Sequence, residues 1–413
     1  MPEENQKLVN RRKFLEGTSA ALFAAAGVSV AGAQEQFRSK DHSLPNEQDP
    51  GPRNSPLEDQ NPSSAWSPET DSGGQPPFKY PFAFAHKRIE PGGWTRQVTV
   101  RDLPHSSMAG VQMKLIKGGV RELHWHVGGE WAFMISGKAR ITAVDQHGRG
   151  FVDDVGPGDL WLFPGGVPHS IQGVGEEGCF FLLVFDDGNF NEFETFLLTD
   201  WMHHTEKEVL AKNFQVSPDV FKNVPPKELF IFPRELPRPL EEEKKQVEAV
   251  NGPLPNSFAF FTSKMAPTKV TKGGEVKIVD SKNFPVTNIA AAIVTVKPGG
   301  LRELHWHPNA DEWQYYVQGK ARMCIFAAGG RARTMDFQAG DVGIVGRSQP
   351  HFVENTGDED LVFLEVFPVP NYEDISLAEW LAHTPTRLVD QHIGTGEDFL
   401  RNISLTETVI TPR

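Results

Sequence analysis

A stretch beginning at Gly118, GGVRELHWHVGGEWAFMISGKAR, returns at Gly299 as GGLRELHWHPNADEWQYYVQGKAR. The copies stand 181 residues apart at His124/His305 and 182 apart from Glu130/Glu312 onward, because Pro308-Asn309-Ala310-Asp311 is one residue longer than Val127-Gly128-Gly129. The second offset holds through Gly158-Asp159/Gly340-Asp341 and His169/His351. Even the tails correspond, Asp200-Trp201-Met202-His203-His204-Thr205 against Glu379-Trp380-Leu381-Ala382-His383-Thr384. One register kept over this length means a duplicated domain. The units run over 79–231 and 256–405. Between them, 232–255 holds prolines and the charged run 241–245, which reads as a solvated connection. Residues 406–413 form a short tail.

Two units of roughly 150 residues account for most of the 413. The 38 Gly and 32 Pro are too many for a helical bundle and suit many short strands with turns. Apolar runs of strand length lie at 180–185, 291–296 and 361–367, whereas helical pattern appears mainly after the strands, at 206–213 and 377–392. The prediction is an all-β protein of two tandem β-sandwiches or barrels, each with a short C-terminal helical appendage. Cys179 and Cys324 fall at different places in the repeat and read as small buried hydrophobes rather than a disulfide framework.

The amino terminus reads as an address. Asn10-Arg11-Arg12-Lys13-Phe14-Leu15 precedes an apolar stretch at 18–30 and then Ala31-Gly32-Ala33. A basic start, a short apolar core and an A-x-A site predict a signal peptide over 1–33, and Arg11-Arg12 resembles the twin-arginine type of bacterial export. The apolar stretch is too short to span a bilayer. An exported, periplasmic or secreted protein with no membrane association after processing is expected. Residues 34–78 are rich in proline and polar residues and read as a disordered linker or as an extended arm packed on the body or a neighbouring subunit. The formal charge of -13 argues against nucleic acid and anionic membranes as partners.

The repeat carries a metal pattern. In a strand, His124 and His126 project from one face, and the turn that follows brings Glu130 alongside. His169 arrives 39 residues after Glu130, as His351 does after Glu312, which follows His305 and His307. Three neutral imidazoles and a carboxylate, without thiolate, suit Mn(II) or Fe(II), two ions per chain. Arg121 and Arg302 sit three residues before the first ligand, so strict alternation points them the other way, and a bulge or twist is needed to turn them inward. Glu365 lies within an apolar strand at the position of Leu183, as a second proton-transfer group or as the partner of Arg302. By alternation Trp125 and Trp306 point away from the metals, towards subunit contacts.

Gly118-x5-His124-x-His126-x3-Glu130-x6-Gly137, followed by Gly158-x5-Pro164-x-Gly166-x2-His169, resembles the two cupin motifs. The second copy has Gly346 and Ser348 where that pattern has Pro and Gly, and Gly173 of the first copy replaces the Asn that appears as Asn355 in the second. Residues 79–405 as a whole resemble the bicupin oxalate decarboxylases. The resemblance implies two jelly-roll barrels, manganese, dioxygen as co-catalyst, cleavage of oxalate to formate and carbon dioxide, and a homo-oligomer, trimer or hexamer. It also implies that Arg121 and Arg302 polarise bound oxalate and that a glutamate in the lid-like segment DDGNFNEFETF (186–196) moves the proton. Glu192 matches that glutamate, with Glu194 a rival. Asn191, Phe193 and Glu194 replace the small polar neighbours usual there, and an oxalate oxidase or a non-catalytic bicupin storage protein are the competing expectations.

Overall fold

The computed structural model describes residues 54–413; residues 1–33, read above as a signal, and 34–53, the first part of the expected arm, lie outside the described residues. Residues 54–69 form a small unit of two short helices, Ser55–Gln60 and Pro62–Ala65, the first capped by the Asn54 side chain accepting from the Leu57 N–H.

Residues 70–413 form one compact unit built of two β-barrels. In the first, a seven-stranded antiparallel sheet orders Ala259–Phe260, Leu160–Phe163, Glu130–Gly137, Cys179–Phe185, Ala109–Leu115, Gly93–Val98 and Lys87–Glu90. The opposing sheet orders Phe196–Leu197, Gly119–Trp125, His169–Gly173, Ala139–Val144 and Gly150–Val155, with Ile231–Pro233 also paired to Gly119–Trp125. The second barrel repeats this plan. Helices follow the strands in both halves, Leu198–His203 and Lys207–Phe214 in one, Leu377–Ala382 and Thr386–Ile393 in the other.

The unbroken apolar runs have a simple cause: their strands are buried on both faces. Along Cys179–Phe185, Phe181, Leu183 and Phe185 enter the core of the first barrel. Leu182 and Val184 point the other way, into a core shared between the barrels with Trp313, Leu364 and Val366. Along Leu361–Phe367, Leu361 and Phe363 enter the second barrel's core, so Glu365 takes the same inward parity. Contact between the barrels is close: a Cβ on Gly110 would lie 2.4 Å from the Trp313 ring. Gln112 donates to the Tyr315 hydroxyl across this interface at 2.9 Å.

The barrels exchange strands. Lys79–Pro81 pairs with the second barrel's Asp341–Val345 strand, and Ala259–Phe260 pairs with the first barrel's Leu160–Phe163. The end of the arm continues this lacing: Asp71 and Ser72 bond the backbone of Thr334 and Ala332. Phe78 is buried in the second barrel's core, and Lys79 makes a buried ion pair with Asp341 at 2.8 Å. Phe78→Ala is therefore expected to cost about 3–5 kcal/mol, the usual price of emptying a buried aromatic site, read as a lower denaturant midpoint. The charged run 241–245 is not simply solvated. It forms part of the helix Leu240–Glu248, whose Glu243 binds Arg140 at 2.6 Å and whose Lys244 reaches Asp153 at 3.3 Å. The motif departure at Ser348 has a conformational cost, since Ser348 keeps the left-handed φ of 63° that Gly166 adopts at 78° in the first barrel.

Candidate metal centres

Each barrel brings its four ligand residues to one point between its two sheets. His124 lies directly across from His169 in one sheet, and Glu130 opens a strand of the other. The donor atoms of His124, His126, Glu130 and His169 all lie within 4.8 Å of one another, as do those of His305, His307, Glu312 and His351, and all eight side chains are buried. Glu130 Oε2 stands 3.2 Å from His126 Nε2 and 3.4 Å from His169 Nε2. Glu312 Oε2 stands 3.2 Å from His307 Nε2 and 2.9 Å from His351 Nε2.

The outer ring nitrogens fix the chemistry. His124, His126 and His169 each turn Nδ1 to a backbone carbonyl, those of Glu122, Gly128 and Val167, at 2.6, 2.7 and 2.8 Å. His305, His307 and His351 do the same with Glu303, Glu373 and Gln349 at 2.7, 2.7 and 3.0 Å. A carbonyl can only accept, so each Nδ1 donates its proton and each Nε2 is left with a lone pair aimed inward. Burial, reinforced by Arg121 and Arg302, holds His124 and His305 well below the usual imidazole range. Burial alone would raise the Glu130 and Glu312 carboxyls, but the surrounding imidazoles outweigh it and hold both low. The Nε2 atoms of His169, His305, His307 and His351 and the Glu130 Oε1 atom have no hydrogen-bond partner within the protein. Converging lone pairs and a carboxylate in a dry interior call for a cation. The chain carries two metal-binding sites.

The strand before the first ligand bulges. His124 pairs with His169 but Arg121 pairs with Ile171, so the ladder slips between them, and the same slip occurs between Arg302 and His305. Arg121 and Arg302 are thereby buried inside their barrels while Leu123 and Leu304 turn outward. Glu122, also buried, anchors two later segments of the same chain by accepting from Thr199, Leu229 and Phe230.

Beyond the ligands the two centres differ. In the first, a small, nearly filled cavity is lined by Arg121, His124, His126, Glu130, Glu192 and Thr195, among others. Arg121 Nη2 donates to Thr195 at 3.1 Å and no carboxylate pairs with it, so burial lowers its guanidinium to about 10. The lid segment places Glu192 inside, on the short 3-10 turn Glu192–Glu194, with its N–H donating to Gln97 at 3.0 Å and Oε2 unpartnered. Burial raises this carboxyl, against the pull of Arg121 and Arg88. Glu194 is exposed and held by Asn191 at 2.9 Å.

In the second centre the arginine is occupied. Arg302 binds Glu365 at 3.3 Å, and its Nη2 reaches both Asp374 and the Tyr372 hydroxyl at 2.9 Å. Burial would raise the Asp374 carboxyl, but Arg302 outweighs it and holds it low. A depressed carboxyl stabilises the fold above its unfolded value and loses that contribution as pH falls through the folded one. Asp374→Asn should therefore destabilise the protein at neutral pH, by about 1–3 kcal/mol, with the deficit shrinking below about pH 4 in acid-dependent unfolding. Tyr372 and Asp374 were not apparent from motif spacing. The register was the available signal, because Thr195 and Asp374 occupy matching places just before the strands Phe196–Leu197 and Ile375–Ser376.

Two barrels fused in one chain, each with a buried three-histidine, one-glutamate cluster, define a bicupin metalloprotein. The cupin family model matches residues 83–222 and again 262–397. The chain is 53% identical over 350 residues to the oxalate decarboxylase OxdC of Bacillus subtilis, covering 84% of this chain and 90% of that protein. It is 42% identical over 361 residues to a probable oxalate decarboxylase of Arthroderma benhamiae, covering 86% and 88%. A solved structure of the Bacillus subtilis oxalate decarboxylase, whose Mn(II) centres were characterised, superposes with a TM-score of 0.85 at 50% identity, covering 88% of this chain and 96% of that one. The chain belongs to the bicupin oxalate decarboxylase family.

Proposed function

We propose that the protein is a manganese-dependent oxalate decarboxylase working chiefly at the first centre, with Glu192 as its proton-transfer group. The observation that carries this reading is the shared cavity: a buried carboxyl whose Oε2 has no hydrogen-bond partner and an arginine in no ion pair face the same metal cluster. His124, His126, Glu130 and His169 would hold the first manganese, and His305, His307, Glu312 and His351 the second. When bound, the metal supplies a Lewis-acid position for a carboxylate and a one-electron couple that works with dioxygen as co-catalyst.

The protein's own groups supply the rest. Arg121 offers a planar, fixed cation for an oxalate carboxylate. Glu192, ionised, takes the proton of bound hydrogen oxalate and, after carbon dioxide leaves, returns it to the remaining carbon to give formate, so the proton is conserved. Burial raises this carboxyl above the ordinary glutamate range, which favours its holding the proton between the two halves of that task. The closed lid keeps water from supplying the proton instead. Arg302 and Glu365, engaged with each other, fit a supporting role at the second centre better than substrate capture.

The signal at 1–33 supports export to the periplasm or beyond. Trp125 stacks on Phe196 at 5.4 Å beside Trp201, and Trp306 meets Trp380 at 5.7 Å; Phe196, Trp201 and Trp380 are exposed. Paired aromatic patches of this kind, one per barrel, support a homo-oligomer, for which the family resemblance suggests three or six chains. Manganese-loaded protein given oxalate should yield formate with little hydrogen peroxide. Peroxide without formate would make it an oxidase, and absence of bound manganese or iron would favour a binding protein.

A further inference from the structure

Phe193 is an apolar ring at the tip of a polar lid, 59% exposed. The Arg88 guanidinium lies 5.1 Å from its centroid and only 3.4 Å from the centroid of Phe230. Phe230 lines the first cavity and receives the Arg121 guanidinium at 4.0 Å. Both flanking distances fall within the range of cation–π attraction. Arg88 is fixed from its remaining sides, donating from Nε to Glu90 at 2.7 Å and from Nη2 to Glu228 at 2.6 Å. A run of contacts thus joins the lid tip to the buried arginine beside the metal cluster: Phe193, Arg88, Phe230, Arg121. The lid's own bonds aim it. Asn191 accepts from the Phe193 N–H at 3.2 Å and donates to Glu194 at 2.9 Å, so Phe193 turns out towards Arg88 while Glu192 turns in.

Comparison of the barrels separates what belongs to the fold from what belongs to the lid. Phe230 has a left-handed φ of 50°, and Val409, at the same place in the second barrel, has 59°. Both are held alike, donating N–H to Glu122 and Glu303 respectively. The strained backbone is therefore common to both barrels. The cation–carboxylate pair also repeats, Arg88 with Glu228 and Lys269 with Glu407. The second barrel has Val409 where the first has Phe230, and its shorter connection, 368–374, places Tyr372 at the register position of Phe193 but turns it inward onto Arg302. The aromatic stack is present where the lid is.

We propose that Arg88 is a positioning residue that latches the lid: clasped between Phe193 and Phe230, it keeps 190–195 closed so that Glu192 stays over the first cluster during turnover. The chemical consequence rests on the decarboxylase reading. An open lid lets the second outcome compete, in which oxalate gives two electrons to dioxygen, dioxygen takes up two protons as hydrogen peroxide, and both carbons leave as carbon dioxide.

Hydrogen exchange of the lid amides in manganese-loaded protein measures the latch without relying on activity. Phe193→Ala removes one face of the clasp at an exposed site, and Arg88→Lys keeps the charge but loses the flat stacking surface. Each is expected to speed exchange over 189–195 by about threefold to tenfold, the span such a contact carries, with exchange around His305 unchanged. Each should also raise the ratio of peroxide to formate, and the double variant should add little to either single one. Wild-type lid exchange in both single variants, or additive effects in the double, would overturn the proposal. A wild-type protein making no formate would instead count against the decarboxylase reading, while the exchange result still decides the latch.

Discussion

Glu192→Gln should lower formate formation by about 100- to 10,000-fold, the range spanned by loss of a positioned acid–base group, with both metals still bound. The amide has the shape of the carboxyl, and the backbone of residue 192 is held independently, by Gln97 and by the Thr195 hydroxyl at 3.1 Å. Lid geometry should therefore survive while proton transfer is lost. Because burial raises the Glu192 carboxyl, its protonated form persists to higher pH than that of an exposed glutamate. The part of the pH–rate profile due to this group should vanish in the variant. Glu194→Gln, at an exposed position, should change formate formation little. Parallel formate assays and elemental analysis of the two variants check this; equal losses in both, or loss of metal with activity, would assign Glu192 a different role.

Metal removal should have the other large effect. A ligand present at a thousand times its dissociation constant stabilises the fold by about 4 kcal/mol per site, and this chain has two such sites. Without the ions, buried lone pairs and carboxylates converge with nothing to satisfy them. Chelation is expected to lower the thermal midpoint markedly and to abolish turnover, with both restored by Mn(II). Binding needs deprotonated ligands, so affinity must fall in acid. Burial keeps the His124 and His305 rings neutral where an exposed histidine would be charged, whereas Glu312 outweighs burial at His307 and raises it, so loss at the second site begins at higher pH. Calorimetry before and after chelation measures the effect, and an unchanged midpoint would contradict it.

The ligands were legible because they are local and written twice: a His-x-His strand, a turn and a glutamate need no knowledge of distant contacts. The duplicated all-β class followed from the same repeat with its short apolar runs, and the jelly-roll form from the resemblance to cupins. Arg121 illustrates the limit of alternation. Its inward direction depends on a bulge that no residue between it and His124 announces, although the need for one could be stated beforehand. Which lid glutamate faces inward depends on a single tight turn at 192–194 and on the Asn191–Glu194 bond, both invisible to composition. The strand exchange through Lys79–Pro81 and Ala259–Phe260 joins segments far apart in the chain, where pattern carries no pairing information. The same holds for the Arg302 cage, whose Tyr372 and Asp374 lie about 70 residues downstream. The helix in 240–248 was obscured because a run of charges reads as solvent-facing unless its partners, Arg140 and Asp153, are already known to be near.

The central claim is that oxalate is cleaved at the first of two similar metal sites. Its most direct test is formate production by Glu130→Ala and Glu312→Ala, measured side by side with bound metal at a temperature where both remain folded. Each variant should lose one metal per chain. Glu130→Ala should lose formate production by at least about 100-fold, whereas Glu312→Ala, its lid and Arg121 intact, should retain a readily measurable share. Formate production that survives Glu130→Ala and disappears in Glu312→Ala would contradict the account.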